Sequence, residues 1–409
     1  MLLYFLSVTT IRRGTNLGGK GVTERVTALF AECTLCKNIA RFANTMSKFT
    51  VFLIHGIGVH RDPSWADGAI DLLRQAWQSS INLDSSMDQH IEIVPICYDE
   101  AFEDYLDDFA DLGTAVLRDT LPLPAAEKQV LADTLNQHQI TERHFLWAYL
   151  VDVVLYKMSI VKEQVNALVA KQLYQRIAQG STSDQFGVIA HSLGTRVIND
   201  TLQNIRTAKA DESNFYRQGY RLKFLLQISD VTDLFSLPWQ RDAFPPKDVF
   251  PHHTFDYLRT VTNCFDPIAR MIPTRLNHWP EGLRDQRHLG RPVYKDIVLE
   301  HVHETNVHGL CHYMLHPEIT DEIFDLCGFG RRLNNRQQRR DGFPLLGPGV
   351  QPDLRTALSD LIDHSHQNHD DSWQTYINLI LKFGDVSVQH GHAPPVSYTH
   401  LTLPTIGEV

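Results

Sequence analysis

The chain has 409 residues, of which 43% are apolar and 21% charged, and its formal net charge is −10. These are ordinary values for a globular protein, and the acidic balance argues against nucleic acid as a main partner. The sequence contains no run of 18 apolar residues, so no membrane-spanning segment is expected. Six cysteines are too few for a disulfide scaffold in a chain this long, and the Cys33-x-x-Cys36 pair lacks the second pair that a zinc site needs.

The two ends of the chain differ from its centre. Residues 1–45 show no apolar period, whereas Met46 leads directly into a strongly apolar segment. We expect residues 1–45 to be a non-native or disordered extension, with a targeting segment as the alternative, and one main cytoplasmic domain over residues 46–390. Residues 394–409 look like the translation of a sequencing-library adapter, and we expect this tail to be foreign to the fold.

The main domain begins with alternating strand and helix patterns. The continuous apolar run Phe49–Ile54 predicts a buried strand, and it leads into the glycine-containing turn His55–Gly58. Periodic apolar residues predict an amphipathic helix over Trp65–Ser79, and Ile91–Tyr98 predicts the next strand. The acidic stretch Asp99–Asp111 is expected to be the solvated face of a helix.

Residues 112–182 contain no convincing strand pattern. Phe145–Gln179 predicts one or two long helices, because apolar residues recur on one face at Val161, Val165, Leu168, Val169 and Leu173. We interpret residues 112–182 as a helical insertion.

A serine follows the next predicted strand at a sharp turn. The apolar run Phe186–Ile189 predicts a buried strand, and Ala190–Gly194 predicts a tight turn. A helix is then predicted from the apolar positions Leu193, Val197, Leu202 and Ile205. Small residues two before and two after Ser192, Ala190 and Gly194, allow the strand and the helix to pack closely around it.

Three further apolar segments follow at Leu222–Ser229, Tyr257–Asn263 and Ile297–Val302, with helical or irregular stretches between them. This alternation predicts an α/β fold with a doubly wound, mostly parallel sheet. Residues 352–384 predict closing helices. A solvated basic loop is expected around Arg331, Arg332, Arg336, Arg339 and Arg340.

The pentapeptide Ala190-His191-Ser192-Leu193-Gly194, between strand and helix patterns, resembles the nucleophile elbow of the α/β-hydrolase superfamily, which includes serine esterases and lipases. The resemblance covers about residues 49–330 and implies an α/β-hydrolase domain in which the helical insertion covers or shapes the pocket. It also implies an oxyanion hole formed by the N–H groups of Leu193 and of Ile57, the latter in the His-Gly loop.

The resemblance requires an acid and then a histidine after the serine. Asp266 follows a predicted strand and lies in a turn that ends at Pro267. The segment Asn263-x-x-Asp-Pro resembles one in bacterial esterase-like members of the superfamily. Asp266 is therefore the expected triad acid. Asp230 and Asp233 are the alternatives, because some members carry the acid one strand earlier.

Several histidines follow the acid. His308 fits the triad position best, because it precedes a predicted helix in the loop after the last strand. His312 lies one helical turn further on and is the first alternative, followed by His303 and His301. His191 is expected to point away from the serine as a packing residue.

These residues predict a serine hydrolase that cleaves a small-molecule carboxylic ester through an acyl-enzyme, without a cofactor or metal. A thioesterase, amidase or acyltransferase would use the same triad. A non-catalytic binding protein with this fold is the alternative from another class. The sequence does not identify the residues that bind the substrate.

Overall fold

A parallel sheet of six strands forms the centre of the computed structural model, which describes residues 48–56, 60, 62–102, 156, 159–180, 184–207, 222–232, 255–271, 286–367, 379, 382–383 and 386. The strands are β1 (Phe49–Ile54), β2 (Ile91–Ile96), β3 (Gln185–His191), β4 (Leu222–Ile228), β5 (Phe255–Asn263) and, after a short antiparallel pair β6 (Arg287–His288) and β7 (Arg291–Pro292), β8 (Tyr294–Leu299). Their order across the sheet is β2-β1-β3-β4-β5-β8, and every neighbouring pair is parallel.

Helices cover both faces of this sheet. On one face lie α2 (Ser159–Gln179), α3 (Leu193–Thr207), the short α4 (Pro267–Met271) and α8 (Pro352–Gln367). On the other lie α1 (Asp67–Ser80), α5 (Leu310–Met314) and α6 (Pro317–Phe324), with α7 (Arg336–Asp341) packed on α6. Short turns of helix occur at Pro63–Ala66, Met87–Gln89, Asp325–Phe329 and Gly330–Arg332.

The sequences of the central strands are continuously apolar because helices cover both faces of the sheet. In β1, Phe52 and Ile54 pack on one side of the sheet, whereas Val51 and Leu53 pack on the other. All six residues of this strand are buried. The predicted strand Phe49–Ile54 is therefore confirmed at both ends, and the α/β class with helices on both faces is established.

Helix α2 is a layer of the core. Its apolar residues Val161, Val165, Val169 and Leu173 are fully buried, and the helix packs against α3. Residues 112–155, 157–158 and 181–182 of the predicted insertion lie outside the described residues. The described part of that region, α2, packs in the same apolar cluster as Phe186 and Val188 of β3.

The last strand is shifted from its predicted position. It spans Tyr294–Leu299, whereas the apolar pattern had placed it at Ile297–Val302. Val302 instead pairs with a later segment: its N–H donates to Leu345 O at 2.8 Å, and its carbonyl accepts from Gly347 N at 2.9 Å. The chain pairs with β5 up to Leu299 and then, at Val302, with the segment Leu345–Gly347. His301 and His303 therefore lie outside the sheet.

The prediction of a solvated basic loop is wrong for three of its five arginines. Arg339 forms an ion pair with Asp321, which is fully buried on α6, and Arg340 lies 3.2 Å from Glu318 on the same helix. Arg336 lies 3.4 Å from Asp325. These pairs hold α7 against α6, while Arg331 and Arg332 are exposed as expected.

The acidic stretch is also only partly as predicted. Asp99 is buried at the end of β2, where it contacts the loop after β1, so it is not on a solvated face. Residues 103–111 lie outside the described residues. Among the helices that the structure describes, none combines the length and the apolar character needed to cross a membrane.

We predict that Leu173→Ala lowers the free energy of unfolding by about 2–5 kcal/mol, because it leaves a cavity between α2, α3 and the sheet. Chemical denaturation measures this change. The exposed Lys171→Ala on the same helix is the matched control and should alter stability little. Equal, small effects of both variants would mean that α2 is not a cooperative part of the core.

Candidate active site

Ser192 occupies a strained turn between β3 and α3. Its φ is 52°, in the left-handed region that non-glycine residues rarely adopt. The turn brings the chain close to β1: a Cβ at Gly194 would collide with the carbonyl oxygen of His55 and lie 2.9 Å from that of Ile54. A glycine at that position is therefore required by the close approach of the helix to the neighbouring strand.

Ser192, His308 and Asp266 form one hydrogen-bonded chain. His308 Nε2 lies 2.8 Å from Ser192 Oγ, and His308 Nδ1 lies 2.9 Å from Asp266 Oδ2. All three side chains are at most 1% exposed. An ionised carboxylate can only accept hydrogen bonds, so the ring nitrogen that faces Asp266, Nδ1, must carry the imidazole proton. The other ring nitrogen, Nε2, can then accept the serine proton. The structure thus brings together the three residues that the sequence placed first for each role.

The carboxylate of Asp266 is held by the elements around it. Its Oδ1 accepts hydrogen bonds from the N–H groups of Ile268 at 3.0 Å and Ala269 at 3.1 Å, so it caps the short helix α4. Its Oδ2 accepts from Ser229 Oγ and from the hydroxyl of Tyr313, each at 2.7 Å. These four donors therefore fix the Asp266 carboxylate independently of its contact with the imidazole of His308.

These contacts determine the charge of Asp266. Burial alone would raise its pKa, but the facing His308 and the hydrogen bonds from His308, Tyr313 and Ser229 outweigh burial and lower the pKa to about 2. The carboxylate is ionised at neutral pH, as a group that stabilises an imidazolium must be.

Ser229 and Tyr313 were not among the predicted site residues. Ser229 follows β4, and its φ is 53°. Its Oγ donates to Asp266 Oδ2 and also lies 2.9 Å from His308 Nδ1. A sequence signal existed for Ser229, because a polar residue at the carboxyl end of the strand beside the elbow strand lies at the ligand-binding edge of such sheets. Nothing in the sequence distinguished Tyr313 from a core tyrosine.

The alternative acids have other positions. Asp230 Oδ1 accepts from Thr195 Oγ1 at 2.8 Å and from Thr232 N at 3.0 Å, so it joins the first turn of α3 to the end of β4. Asp233 lies outside the described residues. Among the described carboxylates, Asp266 is the one that contacts His308 at Nδ1.

The alternative bases form a separate cluster. His312 is fully buried, accepts a hydrogen bond from His303 N at 3.1 Å, and stacks on His301 with ring centroids 4.7 Å apart. His316 also packs on His301. Burial lowers the pKa of His301 to about 2 and that of His312 to about 3, so both are neutral. In the described part of the chain, no set of three or more ligating side chains is arranged around one metal ion.

His191 has a role beyond packing. It is buried, and its Nε2 lies 2.7 Å from the carbonyl oxygen of His308, to which it donates. Burial lowers the pKa of His191 to about 3, with a further contribution from the neighbouring His308, so the ring is neutral. His191 therefore holds the backbone at His308.

The loop after β1 passes beside the serine. A Cβ at Gly56 would lie 2.7 Å from Ser192 Cβ, so the loop contacts the elbow through its glycine. Leu193 begins α3, where the first N–H groups of a helix have no partner within the helix and form an anion-binding end. Ile57, the other predicted oxyanion donor, lies outside the described residues.

No protein-family model matches the chain, and no curated protein matches it. Among solved structures, an uncharacterized protein from Pseudomonas aeruginosa is 13% identical, with a TM-score of 0.27. The match covers 87% of this chain and 54% of that protein, so the chain spans about half the length of the structure it matches. A likeness of this size carries no argument about fold or function.

We predict that the protein loses stability steeply in mild acid. In the unfolded chain, His191, His301 and His312 take up protons near pH 6.5, whereas the folded pKa values are about 3, 2 and 3. Each histidine therefore lowers the free energy of unfolding by about 1.4 kcal/mol per pH unit as the pH falls below that point. Urea denaturation between pH 7 and pH 4.5 measures this slope.

The variant His312→Gln tests the assignment, because glutamine keeps an acceptor for His303 N–H but does not titrate. The free energy of unfolding of this variant should fall less steeply with decreasing pH, by the contribution of one histidine, about 1.4 kcal/mol per pH unit. The control is Ser79→Ala on the exposed face of α1, which removes no titratable group and should leave the slope unchanged. A wild-type stability that is flat between pH 7 and pH 5 contradicts the prediction.

Proposed function

We propose that this protein is a serine hydrolase of the α/β-hydrolase class that cleaves a carboxylic ester through an acyl-enzyme. One observation carries the proposal: Ser192 Oγ, in a left-handed turn between strand and helix, lies 2.8 Å from His308 Nε2, and the opposite ring nitrogen lies 2.9 Å from a buried, ionised Asp266. Nucleophile, base and orienting acid within hydrogen-bond reach are the signature of activated-serine catalysis.

The position of each residue in the sheet supports the same class. The serine follows β3 at the centre of the sheet, the acid follows β5, two strands further along, and the base follows β8, the last strand. Because all six strands are parallel, their carboxyl ends share one edge, where the three residues meet. This is the chain order serine, acid, histidine that the resemblance implies.

In the proposed reaction, Ser192 Oγ attacks the ester carbonyl carbon while His308 Nε2 takes the serine proton. Asp266 keeps Nδ1–H oriented and stabilises the imidazolium. The N–H of Leu193, with a donor from the Ile57 loop, would hold the oxyanion. The imidazolium then protonates the leaving alcohol, and water attacks the acyl-enzyme by the reverse sequence, which restores the serine and releases the acid.

An ester is the preferred substrate, and hydrolysis of thioesters or amides and transfer to an alcohol would use the same steps. The proposal names no cofactor, because each step uses only the triad, backbone donors and water. A binding protein with the same fold would keep the geometry and lack turnover, and the first experiment separates these possibilities.

We predict that a fluorophosphonate probe labels the folded protein at Ser192, since the probe requires a serine that a base deprotonates. Ser192→Ala should abolish labelling and lower ester hydrolysis by several orders of magnitude. Peptide mass spectrometry locates the label, and a panel of p-nitrophenyl esters of increasing acyl length measures turnover. Ser79→Ala, on the exposed face of α1, is the control. Folded protein that is neither labelled nor active would be a binding module.

We predict that His308→Ala lowers kcat by several orders of magnitude, because the serine loses its proton acceptor. His312→Ala should cost far less, since its ring contacts His303 N and His301 and not the serine. Both variants are measured on one ester, with folding checked by circular dichroism. A larger loss for His312→Ala, or losses below about tenfold for both, would place the base elsewhere.

A further inference from the structure

Two residues at the end of β2 contact both ends of the loop after β1. Tyr98 and Asp99 follow the strand that pairs with β1, and they lie beside His55, Gly56 and His60. Both side chains are buried, with Tyr98 at 1% and Asp99 at 5% exposure. Neither belongs to the triad, so their burial beside this loop requires another explanation.

Tyr98 holds the beginning of the loop. Its hydroxyl donates to the carbonyl oxygen of His55 at 2.8 Å and lies 3.2 Å from that of Gly56. Its ring stacks on the imidazole of His55, with centroids 4.0 Å apart and an interplanar angle of 12°. The tyrosine thus fixes the backbone at the point where Gly56 packs against Ser192.

Asp99 holds the far end of the same loop. Its Oδ2 accepts a hydrogen bond from the backbone N–H of His60, and its Oδ1 lies 3.5 Å from His55 Nε2. A hydrogen bond to an ionised carboxylate is stronger than one between neutral groups, particularly in a buried position. The carboxylate therefore holds the backbone of the loop at His60.

The protonation of His55 shows what Asp99 contributes. His55 Nδ1 lies 2.7 Å from the carbonyl oxygen of Gly56, which only accepts, so Nδ1 carries the proton. Burial lowers the pKa of His55 well below its ordinary value, so the ring is neutral and its Nε2 is an acceptor. Asp99 consequently gains no ion pair from His55, and its contribution is the hydrogen bond to the backbone of His60.

We propose that Tyr98 and Asp99 are positioning residues that hold the backbone at His55, Gly56 and His60, the described residues on either side of the expected oxyanion donor Ile57. This inference rests on the proposed function. An oxyanion donor works only within about 2.7–3.1 Å of the charge that develops, and losing one costs about 10²–10³-fold in kcat. Contacts at Gly56 and His60 restrain the chain on both sides of the expected donor before the substrate arrives, which is the preorganisation that such donors require.

The test compares Asp99→Ala, Asp99→Asn and Tyr98→Phe on the p-nitrophenyl ester that the wild type cleaves best. Asp99→Ala should lower kcat by about 10²-fold with KM within about threefold, because the donors act in the transition state. Asp99→Asn should recover kcat to within about tenfold of wild type, since the amide oxygen still accepts from His60 N. Tyr98→Phe should lower kcat by about tenfold through loss of its hydroxyl contacts.

A second measurement separates positioning from general damage to the fold. A trifluoromethyl ketone forms a tetrahedral adduct with an active serine and mimics the transition state, whereas the product carboxylate does not. In Asp99→Ala, affinity for the ketone should fall in parallel with kcat/KM, while product affinity stays within about twofold. Asp62→Ala, which removes another carboxylate–backbone contact just beyond this loop, is the matched control and should keep wild-type kcat.

The outcomes are distinguishable. Wild-type kcat in Asp99→Ala, or an Asp99→Asn variant as slow as Asp99→Ala, overturns the inference while Ser192 labelling still supports the hydrolase. If Asp99→Ala does not fold, Tyr98→Phe decides, and an unchanged kcat in that variant overturns the inference. Failure of the proposed function is seen separately, as wild-type protein in which Ser192 is neither labelled nor required for turnover.

Discussion

The hydrogen bonding of one buried carboxylate holds the candidate site together. Asp266 accepts from the backbone of α4, from Ser229 after β4, from Tyr313 on α5 and from His308 in the loop before it. A buried charge is stable only when its oxygens are satisfied, so these elements are required to converge at the same edge of the sheet. Removing one donor would therefore leave the site assembled, whereas removing the carboxylate would leave several unpaired groups in an apolar interior.

The parts of the fold that the sequence predicted well are those set by local pattern. The apolar run Phe49–Ile54 and the amphipathic helix after it carry their own periodicity, and the turn at Ser192 carries its own steric requirement in Gly194. His308 and His312 illustrate the limit. They are four residues apart, His308 before α5 and His312 within it, and only the tertiary position of the serine determines which ring contacts it. Ser229 and Tyr313 were missed because their roles depend on partners distant in sequence.

Charged residues were hardest to place, since composition does not show which carboxylates are buried. Asp99 belongs to an acidic stretch and was expected in solvent, yet it accepts a hydrogen bond from a loop that begins after another strand. Arg339 was expected in a solvated loop, yet it pairs with the fully buried Asp321. In both cases an adjacent element in the fold supplies a hydrogen-bonding partner for the buried carboxylate, and this adjacency follows from the order of the strands and helices.

The pairing of Val302 with the segment around Leu345 and Gly347 has a consequence for biosynthesis. The stretch that carries His308 is anchored at one end by chain made about 40 residues later, since the Val302 pairing requires that later segment. Until that segment is made, a nascent chain contains both Ser192 and His308 but lacks the pairing that fixes the start of the His308 stretch.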